Sequence, residues 1–352
     1  MVNQTRLEVF GSQTGYSRSG EKAYHVDETC LIRVWSRCNE LGFSLDIVHK
    51  NLPLSVRFPW EVSIVSFAAY PETIQGRGDV VGSVEKILGD VFFDGVEVSV
   101  VSESAWSQIR PLLRRKWIAR GCQPDILINK LDLNSSNSSA RTEAINRIKL
   151  EIEKAGERGM GAVGVCSGPD PGQGRREDAK NLLAQSLVEL CKRASQYNMN
   201  VVLESFDRTY DKKLLIGPLE EAIEVIEKVR STCRNIGLMW DLSHAPMLDE
   251  KPEELKKAKG RLMHVHIGCA KKVDNTFKDT HPGFHTKGAV NTEDDIARLL
   301  KILWEIDYRG RIGFEVKPEE HQTSQEIVNC AKGVLMKAYQ NVAMDILEPR
   351  RP

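Results

Sequence analysis

From Val62 onward the chain alternates short apolar runs rich in β-branched residues with longer stretches whose apolar residues recur every three or four positions. The first kind of run predicts a buried strand and the second an amphipathic helix. Eight strand-like runs stand out: VSIVSFAA (62–69), GVEVSVV (95–101), DILIN (125–129), GAVGVCSG (161–168), NVVLESF (200–206), IGLMWDLS (236–243), LMHVHIG (262–268) and RIGFEV (311–316). Helical patterns such as REDAKNLLAQSLVELCKRASQY and EDDIARLLKILWEI separate them. Eight βα alternations predict an α/β fold, a (β/α)8 TIM barrel, whose usual size is ~250 residues. A doubly wound open sheet fits less well: it usually carries fewer strands, and no glycine-rich G-x-G-x-x-G turn follows the first strand here.

Residues 1–60 fall outside this count. The stretch DETCLIRVWSRCNELGFSLDIVHKNLP contains one helical pattern and a short strand pattern, with no low-complexity linker after it. It is read as an N-terminal extension packed on a barrel of residues 61–345, with a separate small domain as the alternative, and no chemistry is assigned to it.

Composition narrows the classes of function. The 352 residues are 41% hydrophobic and 28% charged, ordinary for a globular protein. Lysine plus arginine numbers 49 and aspartate plus glutamate 49, so no net field favours nucleic acid or an anionic membrane. No apolar run approaches the ~18 residues of a membrane span, and the start lacks a signal-peptide pattern. The eight cysteines are scattered without a C-x-x-C pair, which fits reduced thiols in a cytoplasmic protein.

A barrel confines chemistry to the C-terminal ends of its strands. Under that filter the second half of the chain offers Glu204, Asp241, His266 and Glu315, one from each of four consecutive strands. Side chains alternate faces along a strand, so Glu204 travels with Val202, Asp241 with Met239, His266 with His264, and Glu315 with Gly313. Three carboxylates meeting in one pocket would repel unless a proton or a cation joined them. Three anionic oxygens and an imidazole suit one divalent ion, Mn²⁺ first, with Mg²⁺, Co²⁺ or Zn²⁺ as alternatives. Each residue alone reads equally well as a surface cap or a satisfied core group; the conjunction carries the inference.

The segments VVLESF, GLMWDLSH, HVHIG and GFEVKP, in this order, resemble the sugar phosphate isomerase/epimerase superfamily with its xylose-isomerase-like barrel. The resemblance spans about residues 61–340; the extension before it departs from the family pattern. It implies that Glu204, Asp241, His266 and Glu315 bind one catalytic metal, that His244 in DLSH contacts substrate, and that Glu204 and Glu315 exchange a proton with it. It further implies a carbohydrate substrate and a barrel of a kind that often forms homo-oligomers, while the balanced charge and the lack of an apolar span predict no nucleic acid or membrane partner. The later segment KDTHPGFHTKGAVNTEDDI resembles a branch that processes oxo-sugars.

Such a site can chelate a ketone and a neighbouring hydroxyl and stabilise the enediolate left when the carbon between them loses its proton. Reprotonation then gives an epimer or an isomer, while expulsion of a β-substituent gives a lyase such as an inosose-type dehydratase. A nuclease of the apurinic-site type is a third reading, disfavoured because no histidine ends the first three strands. His281 and Lys317 are further candidates for substrate contact, with an exposed loop and a buried ion pair as their bland readings. His285 reads as exposed, His264 as structural, and Glu97 as a partner behind the site or a satisfied polar group. GPDPGQGRR reads as a solvated turn and RRKWIARG as an exposed basic helix face.

Overall fold

The computed structural model describes residues 42–49 and 51–347. Eight parallel strands form one sheet: β1 Val62–Ile64, β2 Gly95–Val98, β3 Trp117–Gly121, β4 Ala162–Cys166, β5 Asn200–Glu204, β6 Ile236–Asp241, β7 Leu262–Ile267 and β8 Arg311–Phe314. Each strand pairs with its sequence neighbour, β8 pairs with β1 through Phe314 and Ile64, and a Val65–Glu97 bridge joins β1 to β2. The sheet therefore closes into a (β/α)8 TIM barrel.

The register explains the convergence at the mouth. Glu204 pairs with Met239, Asp241 with His266, and His266 with Gly313, so the ligand candidates step around one rim. The opposite faces of the strands, with Leu203, Trp240, Val265 and Phe314 fully or nearly fully buried, pack under the helices. The helix Glu293–Glu305 shows the logic: a capping box between Thr292 and Asp295 starts it, and its Ile296, Leu299, Leu300 and Leu303 line the buried face.

Seven of the eight expected strands lie within their runs. The exception is the third: DILIN belongs to a short helix, Gln123–Ile128, opened by Pro124 and closed where Asn129 Nδ2 donates to the Asp125 carbonyl. The strand is WIARG, inside the run expected to be an exposed basic helix. Its pattern was disguised because Arg120, on the outward face, is buried and held by Asp125 at 2.6 Å and Glu151 at 3.0 Å. A charge neutralised inside the protein reads in sequence like a charge in solvent.

Residues 44–57 form a hairpin, Ser44–His49 with Leu52–Arg57. Beside it, Phe43 stacks on Phe58 and Phe92 with 4.8 Å between centroids, and Tyr339 of the last helix, Ser324–Leu347, donates to the Arg57 carbonyl at 2.7 Å. Residues 42–49 and 51–60 thus pack on the barrel; the remainder of the expected extension lies outside the described residues. No described helix is long and apolar enough to cross a membrane.

A second small hairpin, Lys271–Val273 with Thr276–Lys278, follows β7 and carries the next segment across the barrel mouth. There the Lys317 N–H donates to the His281 carbonyl at 2.6 Å.

Candidate active site

Glu204, Asp241, His266 and Glu315 each present one donor atom, all within 4.8 Å of one another. His266 Nδ1 is the centre: Glu315 Oε2 lies 2.9 Å away, Glu204 Oε1 3.8 Å and Asp241 Oδ2 3.9 Å. Yet Glu204 Oε1, Asp241 Oδ2 and His266 Nδ1 are buried without a hydrogen-bond partner. Even the close approach of Glu315 is off the direction a hydrogen bond requires. Donor atoms that face a common space instead of each other are suited to a cation between them. The residues present therefore fit a divalent metal, which Glu204, Asp241, His266 and Glu315 could hold.

Two buried groups fix this set from the other half of the barrel. Glu97 on β2 accepts from His266 Nε2 at 3.0 Å, His264 Nε2 at 2.9 Å and Ser63 Oγ at 2.7 Å. With Nε2 committed to Glu97, the His266 lone pair that remains for a metal is on Nδ1. His264 is structural, tied to the same carboxylate. Despite burial, the two imidazoles hold Glu97 well below the usual carboxylate range. The inward course of Glu97 requires glycine at 313, where a Cβ would come within 2.3 Å of its Oε1.

Gln123, just past β3, donates from Nε2 to Glu204 Oε2 at 2.7 Å. Gly164 makes the room, since a Cβ there would stand 2.7 Å from that nitrogen. Sequence reasoning missed Gln123 because it put the third strand at 125–129, so the strand-end filter passed over position 123. Burial, with the charge of Glu315, raises the Glu204 pKa. Glu315 is lowered in spite of its burial, by His281 and His266.

A second constellation closes the mouth. Asp279 is buried, with His281 Nε2 at 2.9 Å, Lys212 Nζ at 3.1 Å and His244 Nε2 at 3.3 Å. His244 is set by its Nδ1, which donates to the Ser205 carbonyl at 2.8 Å, and by Phe206 against its ring. Burial lowers the pKa of both imidazoles, but the surrounding carboxylates win. Asp279 with Asp241 brings His244 to about 10, and Glu315 with Asp279 brings His281 to about 9. Asp241 also lies within 4.8 Å of His244 and His281. Lys212 already neutralises Asp279, so this second set needs no further cation for charge balance. The loop that delivers Lys212 is built on Asp207, whose carboxylate accepts from the backbone N–H of Tyr210, Asp211 and Lys212. Asp279 and Lys212 were also missed; the D-T-H-P segment was the signal for the former, and its histidine drew the attention.

The remaining candidates separate cleanly. His281 adopts φ +47° and reaches over the quartet, 3.7 Å from Glu315 Oε1. Lys317 lines the same cavity with an exposed side chain, and its ammonium makes no ion pair among the described residues. His285 is 58% exposed and pairs with Glu293, away from the site. In GPDPGQGRR, Arg176 grips Asp170 at 2.7 and 2.9 Å, so its charge is spent on the turn. The cavity measures about 780 Å³ and runs from the mouth into the lumen, reaching as far as Trp117.

The sequence profile of the family described as Xylose isomerase-like TIM barrel matches residues 91–331. An inosose isomerase of Bacillus velezensis is 25% identical over 211 residues, covering 56% of this chain and 69% of that protein. Among solved structures, a D-tagatose 3-epimerase-like protein superposes with a TM-score of 0.62 at 20% identity, over 81% of this chain and 99% of its own. The IOLI protein with a bound zinc atom gives 0.62 at 17% identity, over 80% and 99%. At these identities the solved structures speak to the fold.

Proposed function

We propose, from the premise that this chain belongs to the xylose isomerase-like TIM barrel family, that it is a divalent-metal-dependent epimerase or isomerase of a sugar or polyol ketone. The observation that carries the reading is the convergence of four strand-end donors, three of them buried and unpaired. Glu204, Asp241, His266 and Glu315 would hold the ion, with Mn²⁺ our first choice because oxygen donors dominate the set. When bound, such an ion stabilises negative charge developing on a ketone oxygen and its neighbouring hydroxyl.

The chain's own groups then divide the work. Glu97 keeps His266 in one tautomer and Gln123 keeps Glu204 in one orientation. Glu204 and Glu315 are the proton-transferring pair: one takes the proton from the carbon beside the carbonyl, and the C–H electron pair passes into the enediolate. Return of a proton to the opposite face gives the epimer, and return to the adjacent carbon gives the isomer. His244, His281 and Lys317 are placed to meet the substrate hydroxyls, with the Asp279 carboxylate beside both imidazoles. The relative named inosose isomerase supports a carbohydrate substrate.

A second reading is a lyase on an oxo-sugar or inosose, favoured by the position of His281, whose Nε2 reaches over the quartet to 3.7 Å from Glu315, where it could donate to a departing hydroxyl. One experiment addresses both. The metal-loaded protein is incubated in D₂O with a panel of keto-sugars and inososes, and deuterium uptake and product mass are recorded. Uptake at the carbon beside the carbonyl with unchanged carbon skeleton and oxygen count supports the epimerase or isomerase; loss of water supports the lyase. Exchange that persists undiminished in both Glu204→Gln and Glu315→Gln would sink the site assignment.

A further inference from the structure

The cavity mouth has two unlike walls. On the side of β5, β7 and β8 stand Lys212, Asp279, His281 and Lys317. On the side of β1 and β3 the cavity is lined by Phe67, Ile74, Pro124, Leu127 and Ile128. The turn Pro71–Gly76 and the helix Gln123–Ile128 that carry most of this wall pack against each other. Its inner edge is one side chain from the quartet: a Cβ at Gly121 would lie 3.1 Å from the Phe67 ring and 3.2 Å from Gln123, the residue that holds Glu204. Its outer edge is Ile128, a large apolar side chain left 53% exposed at the rim.

A bare keto-sugar carries hydroxyls on every flank, and those turned to this wall would lose water without gaining a partner. Arg120, the cation that lines the cavity on this side, is bound to Asp125 and Glu151 and so is not free to take a phosphate. Resting on the function proposed above, we infer that the substrate is a keto-sugar bearing an apolar substituent, a glycoside with an aromatic or alkyl aglycone, seated on Phe67, Ile74, Pro124, Leu127 and Ile128. The polar wall reads the sugar, and the apolar wall covers the aglycone.

The test compares four ligands on the metal-loaded full chain, by deuterium exchange beside the carbonyl: 3-oxo-glucose, its 6-phosphate, and its methyl and phenyl glycosides. The phenyl glycoside is expected to show a kcat/KM at least ~10-fold above that of the free sugar, the methyl glycoside falling between. In Ile128→Asp and Leu127→Asp that ratio should collapse toward one, with thermal melting as the check on folding. Equal rates for phenyl glycoside and free sugar overturn the aglycone assignment while leaving the exchange reaction in place. Preference for the phosphate, lost in Lys317→Met, would replace the apolar occupant by an anionic one. Exchange with none of the four, in metal-loaded protein that exchanges another keto-sugar or inosose of the panel, overturns the inference alone; inactivity on the whole panel overturns the function it rests on.

Discussion

The two halves of the barrel present opposite kinds of strand end. β5 to β8 finish in Glu204, Asp241, His266 and Glu315, while β1 to β4 lead into Val65, Ser99, Cys122 and Ser167. The β5 to β8 half crowds charge that repels itself. The β1 to β4 half offers the means of tolerating it: Glu97 reaches across to His266 and Gln123 reaches across to Glu204, with Gly164 on β4 and Gly313 on β8 clearing their paths. Ligand geometry is thus made by one half and fixed by the other, the division expected where outer partners orient inner ones.

The sharpest way to break this contrast is to remove a ligand. Glu204→Gln should lower exchange activity by ~10²–10⁴-fold, and His266→Ala should strip the ion, both with the fold intact. Elemental analysis after dialysis against chelator, beside a melting curve, checks this. The parent is expected to hold about one ion per chain, and retention of metal by folded His266→Ala would refute the quartet.

In the supporting half the largest effect should fall on stability instead. Arg120→Met leaves the buried Asp125 and the half-buried Glu151 without their shared cation, at a cost of up to ~3–5 kcal/mol measured by denaturant unfolding. A pH signature accompanies it. Although burial opposes the shift, Lys154 and Arg120 hold Glu151 below the ordinary glutamate range. Its contribution is therefore complete above about pH 4.3 and fades as the pH falls through its folded value. That acid-side loss should shrink in Arg120→Met; an unchanged profile would mean that Lys154 alone sets the shift.

Legibility followed the same division. In β5 to β8 every inward position could be assigned by parity, because those runs are apolar and their few ionisable residues sit at the ends. The structure places all four where alternation put them. In β3 the same rule failed at its first step. Arg120 and Trp117 gave WIARG the look of a surface segment, and what reveals the strand is a salt bridge to residues 5 and 31 positions away. Asp279 and Lys212 were illegible for another reason: their meeting depends on two loops, one shaped by Asp207 and one by a hairpin, and no periodicity encodes where loops end.

Glu97→Gln tests whether support from β2 is energetic or only steric. The amide keeps the size of the side chain but cannot accept from both imidazoles as a carboxylate does, so metal affinity should fall ~10–100-fold with the four ligands untouched. Competition with a chelator reads this directly. Affinity within twofold of the parent would mean that His266 is oriented by packing alone.

Gln123→Leu is the mildest cut and the most informative about the comparison. Leucine fills much the same space but withdraws the N–H that holds Glu204 Oε2, leaving that oxygen buried and unpaired. Loss of such a bond costs ~1–3 kcal/mol, so exchange should slow by roughly 10-fold or more. Because Gln123 holds the carboxylate proposed to move the proton, the loss should fall on kcat more than on KM. Gly164→Ala should reproduce it in part, since the added methyl must push the Gln123 amide aside. If both variants keep parental rates, Glu204 needs no holder, and the supporting half contributes only Glu97.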